Sequence, residues 1–298
     1  MITSLLVACS QESGELKLTT ITQVNSSMYP EEGTPSVGYS IDDILLPSQP
    51  GLAVFEKEGN VIDYSNDEYG YISVKATKST QNQKVQVLFD DLIYTYDLVS
   101  DEYIIVPLQG GEGLYTIRIL RNVDGTTYSI LASTKLDVEM ADENSTYLYP
   151  NQMVDYNAQT EAVLKSFELT ENADSDLKRV YEVYHYITEN IDYDYDKAEL
   201  AKNTFILPII DETYINQKGI CFDYAALMSA MLRVQHIPTR IITGMTDVGY
   251  HAWVEVYLSD TGWINPSVYF ENDTWNHVDP TFDSLCEYDG KYQEQDRY

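Results

Sequence analysis

KGICFDYAALMSAML, residues 218–232, decides how this chain is read. From Ile220 to Gln235 apolar residues occupy most sides of the sequence, which predicts a buried helix. Pro238 lies just beyond and stops it. Gly219 permits a tight entry turn, so the helix is expected to begin near Cys221. A thiol at a helix N-terminus faces unpaired backbone N–H groups and the positive end of the helix dipole, and both favour thiolate over thiol. The same N–H groups can hold an oxyanion formed on an attacked carbonyl. A thiol that only fills a core gains nothing from this position, so the placement points to a nucleophile.

A nucleophilic cysteine needs a base. The four histidines are His185, His236, His251 and His277. His251 stands at the head of a predicted strand, HAWVEVYL. There Ala252, Val254 and Val256 face one way, and His251, Trp253, Glu255 and Tyr257 the other. A histidine at a strand's start, beside a helix start, can reach a thiol without deforming either element. The base in turn needs an acceptor that orients its ring. Asp279, in WNHVDPTFD, is the candidate, and Pro280 fixes the turn that follows it.

These residues carry a resemblance. They are Gly219-Ile220-Cys221, Tyr224-Ala225, Leu232-Arg233 and Ile237-Pro238-Thr239-Arg240 with Gly244. Then come His251-Ala252-Trp253 with Glu255-Val256-Tyr257, and Trp275 with Asp279-Pro280-Thr281. Together, over about residues 180 to 285, they resemble the transglutaminase-like superfamily of papain-type cysteine enzymes. The resemblance implies a papain-like α+β fold, with Cys221 as nucleophile, His251 as base and later acid, and Asp279 as the orienter of the imidazole. It also implies a second oxyanion donor upstream of the nucleophile. Gln217, Tyr214, Tyr195 and Tyr193 could serve, with Gln217 and Tyr195 preferred. Two departures stand out. The interval from His251 to Asp279 is long, which makes Asn265-Pro266-Ser267 a rival for the acid's place. His236-Ile237-Pro238 stands where the family has Gly-Ile-Pro, so a histidine must take the left-handed helix stop.

Other residues suggest less. Asp192, Asp194 and Asp196 echo a calcium loop, but Lys197 and Asn203 occupy the places of its Gly and Glu. Cys221, Cys286, His251 and His277 lack zinc-ligand spacing. Neither a metal nor an organic cofactor is required by the chemistry. A Cys221–Cys286 disulfide stays open, because the three cysteines give no even framework.

The rest of the chain reads as support. Residues 1–35 read as a signal remnant and a polar linker. Within them Leu6-Val7-Ala8-Cys9 resembles a bacterial lipobox, which would make Cys9 a lipidation site and the protein extracytoplasmic, anchored in a membrane or secreted. Residues 36–145 show short alternating strands. Val85, Val87 and Phe89 form one set and Tyr115, Ile117 and Ile119 another, with a hairpin signal at Asp124-Gly125. They are expected to form an immunoglobulin-like β-sandwich. Residues 146–298 are expected to form the α+β catalytic domain. Its helices lie near 158–169 and 175–190, the second with a stripe of Leu177, Val180, Val183, Tyr184 and Ile187.

The net charge of -30 argues against nucleic acid as a partner, since phosphate binding needs clustered Lys and Arg. It suits a soluble surface. The 26 tyrosines were compatible with exposed, tyrosine-rich sheets of a secreted protein. The expected function is attack on peptide or glutamine amide bonds through a thioester, with hydrolysis ahead of cross-linking. The partner would be a protein or peptide substrate. The alternative is a non-catalytic surface scaffold that keeps the fold.

Overall fold

The computed structural model describes residues 38–99, 101–246, 249–266 and 293–298. Cys9, His277, Asp279 and Cys286 lie outside the described residues.

The first eight strands are β1 (Val54–Lys57), β2 (Asn60–Asp63), β3 (Tyr71–Lys75), β4 (Gln83–Phe89), β5 (Leu92–Leu98), β6 (Tyr103–Pro107), β7 (Gly113–Asp124) and β8 (Thr127–Val138). They make two four-stranded antiparallel sheets, ordered β1-β2-β3-β6 and β5-β4-β7-β8. Strict alternation selects the inner face of the second sheet. Val85 and Val87, and Tyr94 and Tyr96, are buried while their immediate neighbours are not, and Ile117 and Ile119 are buried on either side of half-buried Arg118. Those side chains join Ile62, Ile72, Val74 and Val106 of the first sheet in one apolar cluster. Asp124 pairs with Thr127 across the two-residue loop at Gly125, where φ is +50°, so the hairpin forms where the sequence placed it.

The α-helices of the described residues are α1 (Glu161–Thr170), α2 (Asp176–Asn190), α3 (Tyr195–Ala201), α4 (Ile210–Asn216) and α5 (Cys221–Arg233). The α2 stripe from Leu177 to Ile187 is buried as its spacing predicts. Two short strands, β9 (Asp192–Tyr193) and β10 (Lys218–Gly219), pair in parallel just before α3 and α5. The last sheet contains β11 (Thr239–Thr246), β12 (Gly249–Leu258), β13 (Gly262–Ile264) and β14 (Gln293–Arg297), in the order β13-β12-β11-β14 and antiparallel throughout. Every residue of α5 from Phe222 to Arg233 is buried, and the helix packs across β11 and β12. No helix among the described residues is long and apolar enough to cross a membrane.

The tyrosines divide between surface and core. Tyr69, Tyr103, Tyr195 and Tyr250 are exposed, while Tyr71, Tyr94, Tyr96, Tyr115, Tyr147, Tyr156, Tyr184 and Tyr224 are buried. Their large rings fill the cores, and several hydroxyls find backbone carbonyls, as Tyr115 does at Gly111 (2.8 Å) and Tyr156 at Leu148 (3.1 Å). The tyrosine content therefore carries no message about an exposed surface.

Arg233, at the end of α5, ties the regions together. It is fully buried. Its Nε donates to Thr239 O (2.9 Å), its Nη1 to Tyr149 O (2.7 Å) and its Nη2 to Tyr298 O (3.1 Å). Desolvation lowers its pKa to about 10, so it remains a cation at neutral pH. Tyr298 in turn meets the rings of Tyr94 and Tyr96 edge-on, which seats the end of β14 against the β5 strand.

Candidate active site

Cys221 is the first residue of α5, with Ile220 as the extended N-cap residue before it. Three neighbours hold this helix start. Asp223 is buried, and its Oδ2 accepts the Ile220 N–H (2.9 Å), closing the first turn. Its Oδ1 meets Lys197 Nζ of α3 at 2.8 Å. The ammonium offsets a buried negative charge that would otherwise oppose a thiolate two residues away. Gly219 lets the carboxylate in: a Cβ there would stand 2.7 Å from Asp223 Cβ and 3.1 Å from Thr213 Cγ2. Its φ is outside the left-handed region, so smallness rather than backbone freedom is what the position demands. Gly219→Ala should cost about 1–3 kcal/mol through that crowding and slow alkylation of Cys221. Urea unfolding and a labelling time course check both effects.

The β9–β10 ladder sets the approach. Asp192 N–H donates to Gln217 O and Asp194 N–H to Gly219 O, both at 2.8 Å. Asp194 is the N-cap of α3, accepting from Lys197 N–H at 2.9 Å, and lies 3.3 Å from Lys218 Nζ. Chiefly that N–H, and then Lys218, hold its carboxyl below the usual 3.8. A lowered folded pKa means the contribution is present above pH 3.8 and is lost as pH falls through the folded value. Asp194→Ala should therefore cost about 1 kcal/mol at pH 7. The gap between variant and wild type should shrink below pH 3.8, as thermal melts at pH 7 and pH 3 would record.

His251 lies on β12, opposite Gly244 of β11, and is buried. The β11–β14 pairing shifts register between Thr243 and Gly244, so a bulge sits beside the histidine's position. Cys221 and His251 line one cavity of about 590 Å³, together with Tyr193, Phe222 and Tyr250. Burial raises the Tyr250 phenol above its ordinary value, leaving it a neutral hydrogen-bonding group near the thiol.

The other sequence candidates are placed as follows. Gln217 caps α4 in the left-handed conformation (φ 52°), is exposed and does not line the cavity. Tyr195 is also exposed and off the cavity wall, with its ring edge-on to Tyr193 at 5.0 Å. Tyr193 is on the wall. Asn265 follows β13 and is half-buried. His236 does take the left-handed helix stop (φ 57°), and its ring stacks on Tyr39 at 4.1 Å. Sequence reading missed the opposite wall, which comes from the end of α3 and the loop after it and includes Lys202, Phe205 and Ile206. That loop has no periodicity to flag it. Among the described residues, no group of three or more His, Cys, Asp or Glu side chains could hold a metal ion.

An α+β fold that sets a cysteine at a helix start and a histidine on the strand packed against it, both on one cavity, defines a class of thiol-bearing domain. Residues 165–280 match the Transglutaminase-like superfamily. The superfamily is generally enzymatic, as cysteine proteases and transglutaminases. Protein YebA of Bacillus subtilis (strain 168), itself uncharacterized, is 26% identical over a match covering 37% of this chain. This chain spans only 18% of that relative's length. Among solved structures, a candidate cysteine protease from Cytophaga hutchinsonii is 14% identical, with a TM-score of 0.39 over 77% of this chain and 76% of that one. The periplasmic domain of TgpA from Pseudomonas aeruginosa, bound to ethylmercury, is 16% identical, with a TM-score of 0.31 over 75% and 77%.

Proposed function

We propose that this chain is a cysteine acyl-transfer enzyme that attacks peptide or glutamine amides and delivers the acyl group chiefly to water. The observation that carries the reading is the shared cavity: Cys221 at the start of α5 and His251 on β12 both line it, inside the transglutaminase-like domain. The thiolate adds to the amide carbonyl, and the oxyanion faces the backbone N–H groups at the start of α5. His251 gives its proton to the leaving amine as the tetrahedral intermediate collapses to a thioester. It then takes a proton from water as the thioester is hydrolysed, and the free thiol returns. Asp279 is assigned the orientation of the imidazole. The second oxyanion donor is assigned to Tyr193, on the cavity wall, ahead of Gln217 and Tyr195.

The two N-terminal sheets fit an immunoglobulin-type sandwich over residues 36–145, carried as a unit beside a catalytic unit of residues 146–298. The lipobox-like Leu6-Val7-Ala8-Cys9 supports an extracytoplasmic location with a lipid on Cys9. Incubation with a mixed peptide library, with and without a primary amine, tests the chemistry. New carboxyl termini or glutamine-to-glutamate conversion, absent in Cys221→Ala, support hydrolysis. Amine adducts alone would assign cross-linking instead, and no product in any sample would favour the scaffold.

A further inference from the structure

The cavity wall facing the nucleophile is apolar and aromatic, and one of its rings is left in solvent. Phe205 lines the cavity yet is 61% exposed. Its ring meets Phe222, the residue after the nucleophile, with centroids 5.8 Å apart at 48°. Ile206 continues the wall. Apolar surface of this kind, continuous with a cleft, marks a binding site rather than a packing surface.

Lys202 is the one Lys, Arg, Asp or Glu among the described residues of the lining, and Glu199 pairs with it at 2.5 Å. The subsite therefore offers little to a charged group. The chain's net charge of -30 also disfavours approach by acidic peptides.

From these features we propose that Phe205 and Phe222 form a specificity subsite for an aromatic or large aliphatic side chain. That side chain sits beside the scissile amide of a peptide that is uncharged or basic around it. The inference rests on the acyl-transfer reading above and names the substrate class of that site. Phe205 supplies an open ring face, Phe222 fixes it against the helix that carries Cys221, and Ile206 closes the side of the slot. Binding the side chain there places its amide over the thiol.

The test uses the full chain and a peptide library that varies each residue flanking the cleaved bond. The wild type should favour Phe, Tyr, Trp, Leu or Met at one fixed position. Phe205→Ala should lower kcat/KM for those peptides about tenfold or more, while leaving small-residue peptides little changed. Leu200→Ala, off the cavity wall, should keep the wild-type preference. Because Phe205 is exposed, its variant should fold, and His251-dependent alkylation of Cys221 should be unaltered. Equal turnover of aromatic and small-residue peptides, or a Phe205→Ala variant with unchanged selectivity, overturns the proposal. A library left uncut while Cys221 still shows His251-dependent reactivity also overturns it. Loss of that reactivity in the wild type would instead sink the acyl-transfer reading itself.

Discussion

Cys221→Ala should lose at least about 10⁴-fold in turnover while melting close to the wild type. The two halves of that expectation have different causes. In the proposed reaction the Cys221 sulfur forms the thioester, and with it gone only the oxyanion-binding N–H groups and substrate binding remain. Stability is a separate matter, because the side chain is half-buried at the first position of α5 and faces a cavity. The helix start is held instead by Asp223, Lys197 and Gly219. Product formation by mass spectrometry and a thermal melt on the same sample check both. A variant that kept a tenth of the activity would assign the nucleophile elsewhere.

The second large effect is on folding. Arg233→Met should destabilise the chain by about 3–5 kcal/mol. The guanidinium serves three carbonyls from separate parts of the chain: buried Thr239 at the head of β11, and part-buried Tyr149 before α1 and Tyr298 after β14. Methionine fills much of the same space but donates nothing, so the Tyr149 and Thr239 carbonyls lose this donor, while Tyr298 O keeps the Ile241 N–H at 2.8 Å. Unpaired buried carbonyls cost more than the net worth of the bonds themselves. With total stabilities of about 5–15 kcal/mol typical of folded chains, the variant would be marginal. Guanidinium unfolding measures this directly, and a loss under about 1 kcal/mol would mean that water replaces the arginine.

How much was legible beforehand depends on whether the signal was local. The α5 helix, the β12 strand and the α2 stripe were readable because each is a short periodic pattern whose apolar face is its own evidence. Cys221 and His251 could be placed near one another from sequence for the same reason: Cys221 opens α5 and His251 lies near the start of β12. The left-handed position of His236 was legible from the resemblance, because the family has Gly at that place.

Other features depend on distant partners. β14, QEQDR, has no apolar alternation and forms because β11 offers it a ladder and Tyr298 a place to pack. The role of Arg233 was invisible because its partners are backbone oxygens, which leave no trace in residue type. The wall from Lys202 to Ile206 is loop, so only the folded chain brings it opposite the thiol. Tyrosine content was uninformative because composition does not record which face a ring takes. Gly219 was read as a turn residue, and its actual constraint is a carboxylate four residues on.

The central claim is that Cys221 and His251 act as a thiolate–imidazolium pair. The measurement that tests it most directly is the rate of Cys221 alkylation by iodoacetamide across pH 4 to 9, in wild type and in His251→Ala. The pair predicts fast labelling that persists well below the ordinary thiol pKa of about 8.5 and disappears from the acidic range when His251 is removed. Slow labelling with an ordinary thiol profile in both proteins would contradict it.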